Sequence, residues 1–126
     1  MTLEILDYEP ARRWAAASVS GGLVFLAGET GTDPATMHTV PGGVEAQTEQ
    51  IMRNISATLE RLGLGLGDVA RMTVYVTDIA DLPTVGGVRA RFLPRPIPSS
   101  TVQVCALARP DLMVEIDAIA VHRKPG

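Results

Sequence analysis

Close to its C-terminus the chain runs Val114-Glu115-Ile116-Asp117-Ala118-Ile119-Ala120-Val121, an apolar, strand-like stretch broken by two carboxylates. A strand repeats every second residue, so Glu115 and Asp117 project to the same side. Carboxylates so placed are either part of a site or a solvated, salt-bridged sheet face, and the spacing alone argues no general acid/base pair. Just upstream, Pro98-Ser99-Ser100-Thr101 brings hydroxyls to the start of another strand. Such a run offers a nucleophile or a hydroxyl cradle for a ligand, although turn chemistry is the plainer reading. Only His38 and His122 supply imidazoles, and neither is placed near the serines by the sequence, so a Ser-His-Asp triad lacks support. The single cysteine, Cys105, falls in a predicted strand and is expected to act as a small buried hydrophobe.

The whole chain sets limits on this chemistry. Its 126 residues suit one domain, residues 1–126, able to bury a core without disulfide or metal. With 46% hydrophobic, 20% charged and only 4% aromatic residues, the interior must be filled by aliphatic side chains. A net charge of −3 gives no electrostatic footprint for a polyphosphate, so nucleic acid is disfavoured as a partner. One cysteine forms no internal disulfide, and two histidines without a carboxylate cluster are too few for the usual zinc sites, so no metal is expected. No apolar run is long enough to span a bilayer, and "MTLEILDYEP" carries acidic residues where a signal peptide would be basic. The expected compartment is the cytosol.

The elements that must position these groups are readable from their patterns. "WAAASVSGGLVFLAGET" reads as a hairpin turning at Ser20-Gly21-Gly22, and "TDPATMHTVPGG" as a surface loop. From Val44 to Leu62, Ile51, Ile55, Leu59 and Leu62 recur at helical intervals, and Gly63 follows where a left-handed cap is wanted. "VARMTVYVTD" alternates Met72, Val74 and Val76 against polar neighbours, predicting a strand. "DLPTVGGVRARFL" has helical spacing despite Gly86-Gly87 at its centre, and "PRPIP" stops it. "STVQVCAL" and "LMVEIDAIAV" are then two strands joined by "ARPD". The order β-β-α-β-α-β-β predicts an α+β fold, one mixed sheet with two helices on one face. The uncovered face needs a partner, which a homo-oligomer supplies.

These segments together resemble the RidA family, also called YjgF or L-PSP. "GLVFLAGETGTDP" resembles the family's strand and loop, "QTEQIMRNISATLERLGLGLGDVARMTVYVTDIADL" its helix-strand signature, and "VEIDAIAV" its terminal "vEIEaiAv". The resemblance implies a chorismate-mutase-like fold, a homotrimer with small-molecule clefts between subunits, and hydrolysis of reactive enamines and imines to ketoacids and ammonia without a cofactor. It also implies that Glu115, the first glutamate of that terminal motif, orients the attacking water.

The chain departs from the family most informatively at one position. Relatives grip the substrate carboxylate with an arginine in "P-A-R-[ST]", whereas here Ser99 stands at that position if "TVQV" is aligned, and Ser100 if Pro98 is. A guanidinium gives a carboxylate two charge-assisted hydrogen bonds, each worth roughly 1.5–3 kcal/mol, where a hydroxyl gives one neutral donor. The other cleft positions implied by the resemblance are Trp14 for the family's aromatic, Ala27 for its serine and Gly86 for its helix asparagine; Gly28 joins them because a glycine lets a ligand approach its backbone amide, and Thr101 because it extends the hydroxyl cradle of the serines. Arg89, Arg91 or Arg109 could return the missing cation, although an exposed helix face or loop is their simpler reading. Asp117 is expected to be structural, paired with an arginine on a neighbouring strand. The leading expectation is a divergent RidA-family hydrolase or deaminase acting on a small imine, enamine or related metabolite. The alternative is a non-catalytic trimer that binds a small molecule or regulates.

Overall fold

The computed structural model describes residues 2–122. A 19-residue helix, α1 (Gly43–Arg61), places Ile51, Met52, Ile55 and Leu59 on one stripe with no exposed surface. Its chain leaves at Gly63, whose φ of +73° is the left-handed conformation expected of that glycine. The second helix, α2 (Leu82–Phe92), is shorter, carries Pro83 in its first turn and buries only Val85 and Val88. It packs on α1, and Arg91 reaches across to Glu49 at 2.7 Å and Glu45 at 3.7 Å.

Six strands form one mixed sheet: β1 (Glu4–Leu6), β2 (Ala17–Ser20), β3 (Leu23–Thr30), β4 (Val69–Val76), β5 (Ser99–Gln103) and β6 (Val114–Val121), in spatial order β1-β2-β3-β6-β4-β5. All neighbours are antiparallel except β4 and β5, which run parallel across the α2 crossover. The hairpin between β2 and β3 turns at Gly21 and Gly22, both at positive φ. This is the predicted order with one strand more, since the three residues of β1 extend the hairpin on its outer edge.

The helices cover one face. Beneath them Val24 and Leu26 of β3, Met72, Val74 and Val76 of β4, and Val114, Ile116, Ala118 and Ala120 of β6 close the core. The strand period sends Leu23, Phe25, Ile119 and Val121 to the other face, where Phe25 is 43% exposed and Val102 of β5 44%. Two expectations are corrected here. Cys105 is exposed, because β5 ends at Gln103 and Val104 makes the last rung to Val76 (2.8 Å), so the thiol lies in the following loop. Asp117 accepts a hydrogen bond from the Tyr75 hydroxyl at 3.0 Å, and among the described residues no arginine pairs with it.

Burial of one such aliphatic side chain is worth about 1.5–3 kcal/mol, and the cavity left by its removal adds to the loss. Ile55→Ala, at the centre of the α1 stripe, is therefore expected to destabilise the protein by roughly 2–5 kcal/mol in urea unfolding.

Candidate functional site

Near the loop end of β3 the sheet is irregular. The pairing of β3 with β6 shifts between Leu26 and Glu29, so Ala27 and Gly28 bulge, and Thr30 then pairs with Glu115. Gly28 lies against the Glu115 side chain so closely that a Cβ on it would stand 2.6 Å from Oε2. Only glycine leaves the carboxylate where it is. Beyond the bulge, Gly31 presses on α1, where a Cβ would meet Gln47 Cα at 2.7 Å. Gln47 itself is buried, donating to the Asp111 carbonyl (2.9 Å) and accepting from the Met113 amide (2.9 Å), which fixes the approach to β6. Asn54 of α1 donates to the Thr32 carbonyl at 2.9 Å and steadies the other wall.

These contacts frame a cavity of about 120 Å³ bounded by Trp14, Gly28, Glu29, Thr30, Arg109 and Glu115, with Tyr8, Arg12, Thr32 and Asn54 behind them. Glu115 is half-buried, and its carboxyl is held above the usual glutamate range first by burial and then by the Asp117 charge. Glu29 is 8% exposed; burial raises its carboxyl, while a short hydrogen bond from the Tyr8 hydroxyl and the Arg12 charge oppose that rise. Tyr8 is raised in turn, by burial and by Glu29. The Arg12 guanidinium stacks 4.1 Å over the Tyr8 ring, and Trp14 meets the same ring edge-on at 6.3 Å. Arg109 closes the cavity but is already engaged, donating to Thr32 Oγ1 (2.8 Å) and Thr39 Oγ1 (3.0 Å) beside Asp111 (3.8 Å).

The residues singled out in the sequence separate into two places. Trp14, Gly28 and Glu115 meet at this cavity, and Ala27 sits next to it in the bulge, its amide donating to the Ala16 carbonyl. Gly86 and Ser99 line another cavity, of about 430 Å³, between the end of α2 and the start of β5. The β4–β5 register pairs Ser99 with Met72 and Thr101 with Val74, both on the helix-covered face, while Ser100 opposite Thr73 faces outward and accepts from Arg71 (2.8 Å). Ser99, and not Ser100, is therefore the hydroxyl that shares a cavity with Gly86. Sequence reasoning missed Tyr8, Arg12 and Glu29. For Glu29 a signal existed, since it is a carboxylate in the apolar strand "LVFLAGET", the same anomaly that drew notice to Glu115.

A six-stranded mixed sheet under two helices, with a cavity at a bulge lined by carboxylates and arginines, defines a class of fold, and comparison with known proteins places the chain within it. The family described as Endoribonuclease L-PSP matches residues 5–122. The chain belongs to that family, the RidA/YjgF/L-PSP proteins. It is 45% identical over 103 residues to the protein DfrA of Myxococcus xanthus (81% of this chain, 78% of that one). It is 36% identical over 107 residues to the 2-iminobutanoate/2-iminopropanoate deaminase of Escherichia coli (82% of each). Among solved structures, a Thermotoga maritima protein described as a putative endoribonuclease aligns with a TM-score of 0.87 at 32% identity, covering 98% of both chains. E. coli TdcF with bound serine aligns at 0.85 and 30%, covering 95% of this chain and 99% of that one.

The electrostatics of Glu115 carry a measurable sign. Because burial and a neighbouring negative charge both disfavour the carboxylate, an NMR titration should find Glu115 above the ordinary glutamate range. Asp117→Asn removes one of those two causes and is expected to lower the midpoint, leaving it still raised by burial. A rise, or no change, on that substitution would contradict the assignment.

Proposed function

We propose that this protein hydrolyses a small imine or enamine to the carbonyl compound and ammonia, in a cleft that two subunits of a homotrimer build together. The observation that carries the reading is the Gly28–Glu115 contact: a half-buried carboxylate held beside a bare backbone and open to a cavity the size of a few atoms. Relatives across four fifths of the chain are named 2-iminobutanoate/2-iminopropanoate deaminases, which supports the reaction class.

In this reading Glu115 orients a water. As the water oxygen bonds to the imine carbon, the carboxylate takes its proton and the C=N electron pair moves to nitrogen. The proton passes from Glu115 to that nitrogen, giving a carbinolamine; Glu115 then takes the carbinolamine hydroxyl proton and hands it to the amine, so that the C–N bond breaks and ammonia leaves as the carbonyl forms. The raised basicity of Glu115 favours the first transfer. Trp14 offers a flat apolar wall for the substrate, being 56% exposed beside the cavity.

Two features support the trimer. The sheet face opposite the helices shows Ile5, Leu23, Phe25, Val102 and Val121 to solvent, an apolar surface of the kind that self-association covers. The predicted cleft residues also fall into two cavities within one chain, as expected of half-sites that a neighbouring copy completes. Light scattering should then give three times the chain mass of 13.4 kDa.

The activity is tested by generating 2-imino acids in situ with an amino-acid oxidase and following their decay. Acceleration by the wild type, reduced by about a hundredfold or more in Glu115→Gln at unchanged fold, is the expected result, in line with the general-base contribution of 10²–10⁴. Ligand binding without turnover, indifferent to that substitution, would instead establish a binding protein.

A further inference from the structure

The cavity between α2 and β5 contains a charge that no residue of its lining neutralises. Its lining of Gly86, Arg89, Leu93, Arg95, Ile97 and Ser99, with an alanine and two prolines, includes no acidic residue. Arg89 is the informative member. Its guanidinium is half-buried, yet its contacts are poor: Nη1 lies 3.9 Å from the Met72 sulfur, Nη2 lies 3.4 Å from Ser99 Oγ, and the buried Nε donates to nothing. A thioether and a distant hydroxyl are weak acceptors for a planar cation with five donors. Burying a cation without a counter-charge is costly, and burial indeed lowers the Arg89 pKa. The other arginines raised by the sequence are otherwise committed: Arg91 to Glu49 and Glu45 of α1, Arg109 to Thr32, Thr39 and Asp111.

The cavity at Glu115 is mixed in charge, Arg12 and Arg109 standing against Glu29 and Glu115, with Asp117 nearby. A substrate carboxylate is therefore attracted more strongly to the cavity between α2 and β5, whose charged lining is only positive. We propose that Arg89, delivered from helix α2 to the hydroxyl of Ser99, binds the carboxylate of the substrate as a bidentate pair, so that the protein takes 2-imino carboxylates although β5 carries no arginine. The position of this group opposite a neighbouring subunit's Glu115 rests on the proposed function, whereas carboxylate binding by Arg89 does not.

The probe is 2-oxobutanoate, a stable ketone with the shape of an imino acid, titrated calorimetrically into the full trimeric protein beside its uncharged amide. The wild type is expected to prefer the carboxylate. Arg89→Gln should weaken it at least tenfold while leaving amide binding in place, and Ser99→Glu, which sets a carboxylate against the guanidinium from within, should do the same without removing Arg89. Adding Ser99→Arg to Arg89→Gln should restore the preference. Equal affinity of the wild type for both probes, an unchanged preference in Ser99→Glu, or equal loss of both probes in Arg89→Gln would overturn the inference. The two readings fail separately: Arg89-dependent binding without imine turnover removes only the deaminase, and turnover with unchanged KM in Arg89→Gln removes only the role of Arg89.

Discussion

The loop end of β3 must touch two elements at once, and the arrangement of the Glu115 cavity depends on that double approach. At Gly28 the strand meets β6 with no room for a methyl group before Glu115, and at Gly31 it meets α1 with none before Gln47. The bulge between Leu26 and Glu29 makes both contacts possible by shifting the register over a short distance. Without it Glu29 would pair out of phase, and the alternation that sends Glu115 outward and Ile116 inward would have no matching partner on β3. The glycines and the bulge are thus one device, converting a regular ladder into a wall with a carboxylate set into it.

Charge is divided between two regions of the chain. Glu29 and Glu115 meet where β3 ends and β6 begins, beside Arg12 and Arg109, and burial makes each carboxylate a stronger base when ionised. Where α2 runs into β5, Arg89 and Arg95 line a cavity that has no acidic residue. Under the proposed function, an anionic metabolite meeting both regions would be drawn by its charge to the second. Half-burying Arg89 in a cavity without an acidic residue is unfavourable for folding.

What could be read from the sequence follows from how local each signal is. The α1 stripe and the alternation in β4 and β6 are local patterns, and the structure has them where those patterns run. The Cys105 assignment failed because the apolar alternation of Val102 and Val104 continues past the point where the edge strand stops pairing, and an edge strand buries little. β1 is three residues long and has no periodicity of its own to detect. At the site, family resemblance led to Trp14, Gly28 and Glu115, whereas Tyr8, Glu29 and Arg109 come together only through strand order and a bulge. Which of Ser99 and Ser100 faces the helices was equally hidden, since a one-residue change of register exchanges the two faces.

Helix α2 has a further consequence through Gly86 and Gly87. Each glycine costs a helix interior about 1 kcal/mol relative to alanine, and only Val85 and Val88 anchor the helix in the core. The element bearing Arg89 is therefore held less firmly than the strand bearing Glu115, which is bonded on both sides within the sheet. Hydrogen exchange would divide along the same line, fast in α2 and slow in β6. In the proposed cleft this gives one rigid wall, which would keep the water in place, and one yielding wall, which would adjust to substrate side chains of different length.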